Sequence, residues 1–176
     1  LLSLQTNKAK DDFHKNLLQE SRNRLESIST IHQLLYQSKS YATVNFKEYL
    51  EKILSNLNNS FSSSDKKIKT IKNIQTIELE ISVAIPLALI VNELVTNSYK
   101  HAFQNVAEGI IEITLTESAG KVFLQIRDNG PGFSTTKATE SSIGLDIIKG
   151  LVNQIDGEMG HRNDAGSVSS ISFDKA

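Results

Sequence analysis

The chain has 176 residues, 39% of them hydrophobic and 22% charged, which suits one full domain plus a smaller appendage. A formal net charge of −1 gives no sign of a general nucleic-acid binder, and the lack of cysteine excludes disulfides and thiolate metal sites. Two prolines and no uninterrupted apolar run near the ~20 residues of a membrane span point to a folded, soluble domain.

The chain opens on Leu1 with no charged-then-apolar leader. It is therefore expected to be a piece of a longer protein, any membrane-anchored or sensory part lying outside it. A cytoplasmic setting fits the cysteine-free composition.

In chain order, residues 1–58 form a first, helical region. Leu1, Leu2 and Leu4 look like the end of one helix, and Phe13, Leu17, Leu25, Ile28, Ile31 and Leu35 fall near one stripe of the next. The pattern breaks at 41–45. Asn45 followed by Glu48 resembles a capping box, opening a helix with Phe46, Tyr49, Leu50, Ile53, Leu54 and Leu57 inward. Residues 58–67 hold Ser60, Ser62, Ser63 and Ser64 among polar neighbours, a plausible boundary that starts a second region at 59–176.

The second region mixes strands and helices. Isoleucine-rich 68–81 suggests one or two strands, and Pro86 suits the first turn of a helix reaching about Phe103. Ile111, Ile113 and Leu115 alternate with polar residues as in a half-buried strand. A turn at Ser118, Ala119 and Gly120 leads to a strand with Val122, Leu124, Ile126 and Asp128 on one face. Leu145, Ile148, Leu151, Val152 and Ile155 mark another helix, ended by Gly157. Two strands, 158–162 and 167–173, close the chain. A sheet covered on one face by helices follows from this order.

Three features carry chemistry. At 100° per residue, Glu93, Asn97, Lys100 and His101 share one face of the helix after Pro86, while Leu87, Val91, Val95, Ser98 and Ala102 cluster opposite. A carboxylate, a carboxamide and a cation there could act as base, Mg2+ ligand and phosphate partner; an ordinary solvated face is the bland alternative. Asp128 ends its strand on the apolar face, where a carboxylate needs donors such as an adenine amino group, although it could equally cap the following turn. Gly130, Gly132 and Gly144 permit close backbone approach, and a helix starting near Gly144 would aim N–H groups at phosphates.

The runs VNELVTNSYKHAF, RDNGPGF, SSIGLDIIKGLV and AGSVSSISF closely resemble, in order, the Asn box and three Gly boxes of the ATPase family that includes histidine kinases, DNA gyrase, the mismatch-repair ATPase and the heat-shock chaperone ATPase. No P-loop run occurs. The resemblance implies an α+β chain, a helical hairpin fragment followed by a two-layer α/β sandwich (the Bergerat ATP-binding fold). It also implies roles: Asn97 as ligand of Mg2+ on the ATP phosphates, Glu93 as the carboxylate that polarises the attacking group, and Lys100 and His101 against phosphate. Asp128 would read adenine, with Gly130, Gly132 and Phe133 shaping the pocket, Gly144 and Leu145 holding phosphates and the polar 134–142 stretch (a lid or an ordinary surface loop), and Gly166 and Ser167 at the base. Ser142 stands where many members have glycine, and Ser167 where threonine is commoner.

LLSLQ, RLESISTIHQLLYQS and NFKEYLEKIL resemble the histidine kinase subfamily in particular. That likeness implies transfer of the ATP γ-phosphoryl group to a histidine, relay to a response-regulator receiver domain, and a homodimer through the N-terminal helices. It puts the acceptor histidine upstream of Leu1; His14, in a run that mimics an acceptor box, and His32 are then surface or packing residues. A non-catalytic ATP-binding and dimerisation module is the alternative. An anti-sigma-factor-type serine kinase would share the boxes but not the helical preface.

Overall fold

The computed structural model describes residues 25, 29, 43–61, 67–103, 106–132 and 143–175. Most of the first helical stripe, His14, His32, Phe133 and the 134–142 stretch lie outside the described residues. Leu25, expected on the packed stripe, is helical and 53% exposed; the rest of that stripe is not described.

The break at 41–45 contains a short strand, β1 (Thr43–Asn45), which leads straight into α1 (Phe46–Phe61). The Asn45 side chain caps α1 as expected, its Oδ1 accepting from Glu48 N at 3.3 Å. The reciprocal half differs: Glu48 takes its bond from the Asn45 side-chain amide, also at 3.3 Å. Phe46, Tyr49, Leu50, Ile53, Leu54 and Leu57 are all buried, each worth about 2 kcal/mol of transfer free energy. They enter one core with the helix and sheet residues that follow, so α1 is packed as part of that body. The helix continues past Asn58 to Phe61, and the Ser60 hydroxyl bonds back to the Asn56 carbonyl at 2.8 Å.

The isoleucine-rich stretch forms two strands in two sheets. β2 (Lys67–Ile74) is an edge of the five-stranded sheet, whereas β3 (Glu78–Glu80) pairs antiparallel with β1, Thr43 opposite Glu80. With β4 (Glu108–Ser118), β5 (Lys121–Asp128), β6 (Glu158–Asn163) and β7 (Ser167–Asp174), the larger sheet runs β2-β4-β5-β7-β6. Among the described strands of this sheet, β2 and β4 pair in parallel and the other pairs are antiparallel. Period-two alternation puts Ile111, Ile113, Leu115, Val122, Leu124, Ile126, Ile171 and Phe173 into the core. The opposite face leaves Phe123 43% exposed.

The second helix, α2, runs Ile81–Asn97, so it begins five residues before Pro86 and not at it. Pro86 lacks the N–H that would bond the Ser82 carbonyl; Ser82 is exposed, where water can replace it. From Asn97 the chain does not continue as α-helix. Ser98–Ala102 form a π-helical turn, so the 100° projection used for Lys100 and His101 stops short of them. Together Ile81–Ala102 are long and apolar enough to cross a membrane by length and composition, although polar residues interrupt the apolar run. Burial explains it: α2 is the central core helix, with Ala84, Leu87, Ala88, Ile90 and Val91 inaccessible.

The third helix, α3 (Ile143–Gln154), packs beside α2 through Ile148 and Val152. It ends in a Schellman motif, Gly157 N to Val152 O at 3.0 Å and Asp156 N to Asn153 O at 3.2 Å. Asp156, at φ 49°, takes the left-handed position expected of Gly157. Gly157 serves close approach instead, since a Cβ there would stand 3.2 Å from the Ser172 carbonyl. The α+β sheet-and-helix architecture agrees with the expectation; the hairpin fragment falls outside the described residues.

Candidate functional site

α2 delivers Glu93 and Asn97 one turn apart, and the start of α3 faces them. A methyl placed on Gly144 would stand 3.6 Å from Glu93 Oε2 and 4.0 Å from Asn97 Nδ2. Glu93 is only 5% exposed, a burial that a carboxylate tolerates only with partners around it. Leu145, one residue further along α3, is half-buried. Backbone N–H groups of the first turn of a helix have no intrahelical acceptor, so this junction suits an anion. Among the described residues no cluster of three or more His, Asp or Glu side chains forms a metal cage. Mg2+ takes one or two protein oxygens and completes its shell with water and phosphate, so the Glu93 and Asn97 oxygens are a donor set that fits it.

At the far end of β5, Asp128 is 5% exposed and held from three directions. Its Oδ2 accepts from the Ser98 hydroxyl at 2.9 Å. Its Oδ1 accepts from Gly130 N at 3.1 Å and from Ser167 N at 3.2 Å. Asp128 thus turns the chain at Gly130, as the capping alternative expected, and also faces inward. A carboxylate has about four lone-pair sites, so the three donors among the described residues leave room on Oδ2 for a further one. Ser98 also lies 3.3 Å from the Leu94 carbonyl, but its single proton is better spent on the shorter, charge-assisted bond.

Glycine makes this corner possible. A Cβ on Gly166, at φ 136°, would overlap the Asp128 carbonyl, and one on Gly130 would come within 2.5 Å of Ala102 Cβ. Gly132 has φ 75° and lies against the Asn163 side chain. The expected close approach is thus first of all to protein. Asn129 pins the loop, its Oδ1 accepting from Ile110 N at 2.7 Å and its own N–H bonding the Ile110 carbonyl at 3.2 Å.

Lys100 is half-buried and His101 exposed, both on the π-turn beyond Asn97. The structure brings together Glu93, Asn97 and Gly144 at one end, and Asp128, Gly130, Gly166 and Ser167 at the other. Sequence reasoning missed Ser98, Asn129 and the β6 residues His161 and Asn163. Ser98 did leave a signal, as a polar residue inside an apolar stripe. His161 Nδ1 and the buried Ser169 hydroxyl share a 2.7 Å hydrogen bond. Burial lowers the His161 pKa from its ordinary value, and the Asp128 charge pulls partly the other way.

Two family models match the chain: one described as histidine kinase over residues 1–61, and one described as histidine kinase-like ATPase domain over residues 67–172. The sensor histidine kinase PdtaS of Mycobacterium tuberculosis is 32% identical over 169 residues, 93% of this chain and 33% of that protein. The nitrate/nitrite sensor protein NarQ of Escherichia coli is 28% identical over 167 residues, 94% of this chain and 27% of its own length. This chain therefore spans about a third of such relatives. Among solved structures, the histidine kinase domain of the Erythrobacter litoralis blue-light activated histidine kinase superposes with a TM-score of 0.80. It is 19% identical, with 99% of this chain and 90% of that one covered. The Acinetobacter baumannii histidine kinase AdeS gives 0.64 at 16% identity, over 95% and 86%. These structural matches concern the fold.

Proposed function

Because the chain belongs to the sensor histidine kinases, carrying their helical region and ATPase domain, we propose that it binds Mg-ATP between α2, α3 and the Asp128 corner and passes the γ-phosphoryl group to a histidine. The observation that carries this is the buried Asp128 carboxylate, with three donors among the described residues and room on Oδ2 for a further one. An adenine amino group is a donor of the right kind. Gly130, Gly132 and Phe133 would wall the base, with Gly166 and Ser167 beneath it.

At the other end Asn97 would hold Mg2+ through its amide oxygen, and Lys100 and His101 would meet phosphate oxygens. Gly144 and Leu145 would bring the α3 N–H groups to the same oxygens. The metal, when bound, neutralises phosphate charge. Glu93 would accept a hydrogen bond from the other ring N–H of the attacking imidazole as the nitrogen–phosphorus bond forms and the bond to the ADP oxygen breaks.

On this reading the division falls between a dimerisation and phosphoacceptor region at 1–58 and an ATPase domain at 59–176, with α1 packed into the second. The acceptor histidine lies upstream of Leu1, as the LLSLQ run suggests. The phosphoryl group then goes to an aspartate on a response-regulator receiver domain, in the cytoplasm, from a homodimer paired through the N-terminal helices.

The test is direct. Mg-ATP titration should show saturable binding that weakens by about 100-fold or more in Asp128→Ala. With a supplied acceptor-bearing helical fragment, the chain should yield acid-labile phosphate. Absence of binding by the unaltered chain would sink the proposal.

A further inference from the structure

α2 leaves α-helical geometry just where its chemistry begins. A π-turn is rare and found mostly as a single turn within an α-helix, so its contacts outside the helix bear on why it persists here. Three residues of the turn make such contacts. Ser98 donates to Asp128 at 2.9 Å. Ala102 fills the space that glycine leaves at position 130. Tyr99 turns to α1: its ring stacks on Phe61 at 4.9 Å between centroids and 7° between planes, and its hydroxyl donates to Asn58 Oδ1 at 3.0 Å. The turn is thus gripped between the last residues of α1 and the Asp128 corner.

The two grips depend on one register. If residues after Asn97 reverted to α-geometry, each would advance round the axis, and Tyr99 would leave the α1 side as Ala102 left Gly130. Phe61 is the last residue of α1, where a helix would otherwise fray. The ring stack closes that end, and the hydroxyl fixes which way the tyrosine points.

We infer that Tyr99 is a positioning residue: held by Phe61 and Asn58, it keeps the Ser98–Ala102 π-turn in the register that aims Ser98 at Asp128 and presents Lys100 and His101 to the phosphate end. This deepens the nucleotide-site reading and rests on it. Tyr99 itself touches no reacting atom. Its effect passes through Ser98 to the Asp128 carboxylate.

The experiment has two arms on the full chain. In the first, without nucleotide, amide exchange is followed residue by residue. Tyr99→Ala should raise exchange about tenfold at residues 98–102 and at Gly130, while Tyr99→Phe, which keeps the stack, should raise it about threefold. Asn58→Ala should match Tyr99→Phe, and combining the two should add little, as expected for one shared bond. A core variant remote from the turn, Phe173→Leu, should lower global stability without this local pattern. In the second arm, Mg-ATP affinity should fall in the same order, Tyr99→Ala most and Tyr99→Phe least.

Unchanged exchange at 98–102 and Gly130 in Tyr99→Ala overturns the inference, as does full additivity of Tyr99→Phe with Asn58→Ala. Failure of the unaltered chain to bind Mg-ATP overturns the nucleotide reading, and with it the positioning role. Exchange would then still report the grip on the turn.

Discussion

The two ends of the site are built by different means. At the Asp128 corner, backbone meets backbone: Gly166 lies on the Asp128 carbonyl, Gly130 on Ala102, and three donors fix one carboxylate. At the Glu93 end two helices face each other across ordinary van der Waals spacing, and a methyl on Gly144 would be accommodated. The end proposed for adenine is fixed by close protein contacts around one carboxylate, whereas the end proposed for phosphate is set by two helices at ordinary contact distance.

Substitutions that differ by a methyl group break or sharpen this comparison. The largest effect is expected from Gly166→Ala, which combines a left-handed φ with overlap of the Asp128 carbonyl. It should cost about 3 kcal/mol or more in denaturant unfolding. Gly130→Ala, at an ordinary φ but 2.5 Å from Ala102 Cβ, should cost about 1–3 kcal/mol. Gly144→Ala should leave stability within about 0.5 kcal/mol or raise it, alanine being the better helix former, while weakening Mg-ATP binding. Equal stability losses at 130 and 144 would erase the distinction between the two ends.

The smallest effect is a pH dependence. Because burial lowers the His161 pKa, the folded chain binds fewer protons there than the unfolded chain as pH falls below about 6.5. Stability is therefore lost in that direction, through the folded-state pKa. His161→Gln should flatten this part of the profile, read from unfolding midpoints between about pH 7 and pH 5.

Much of this was legible in the residues, for identifiable reasons. Alternation in 111–115, and in 122–128 apart from Phe123, suits strands with one buried face, and Asp128 was legible as the polar end of such a row. The inward face of α1 was likewise complete in its spacing. What escaped depended on partners distant in sequence. β1 is three residues long and exists because β3 pairs with it. Pro86 sits inside α2 because core burial outweighs one missing hydrogen bond. The π-turn has no local signature, since its causes are Phe61, Asp128 and Gly130, and the tilt of Lys100 and His101 was lost with it. Asp156 takes a left-handed position beside a glycine because Gly157 is needed against Ser172.

The parallel pairing of β2 against β4 bears on how the chain finds its fold. β4–β5 and β6–β7 are hairpins whose partners are close along the chain, whereas Lys67 reaches Glu108 only across β3, the whole of α2 and its π-turn. Loop-closure entropy for that pairing must be met before it returns any contact energy. The hairpins can therefore form early, whereas β2–β4 and the equally distant β5–β7 pairing, Arg127 opposite Val168, must wait for longer stretches of chain. During synthesis, a ribosome would have to release α2 and β4 before the first strand of the sheet had anything to join.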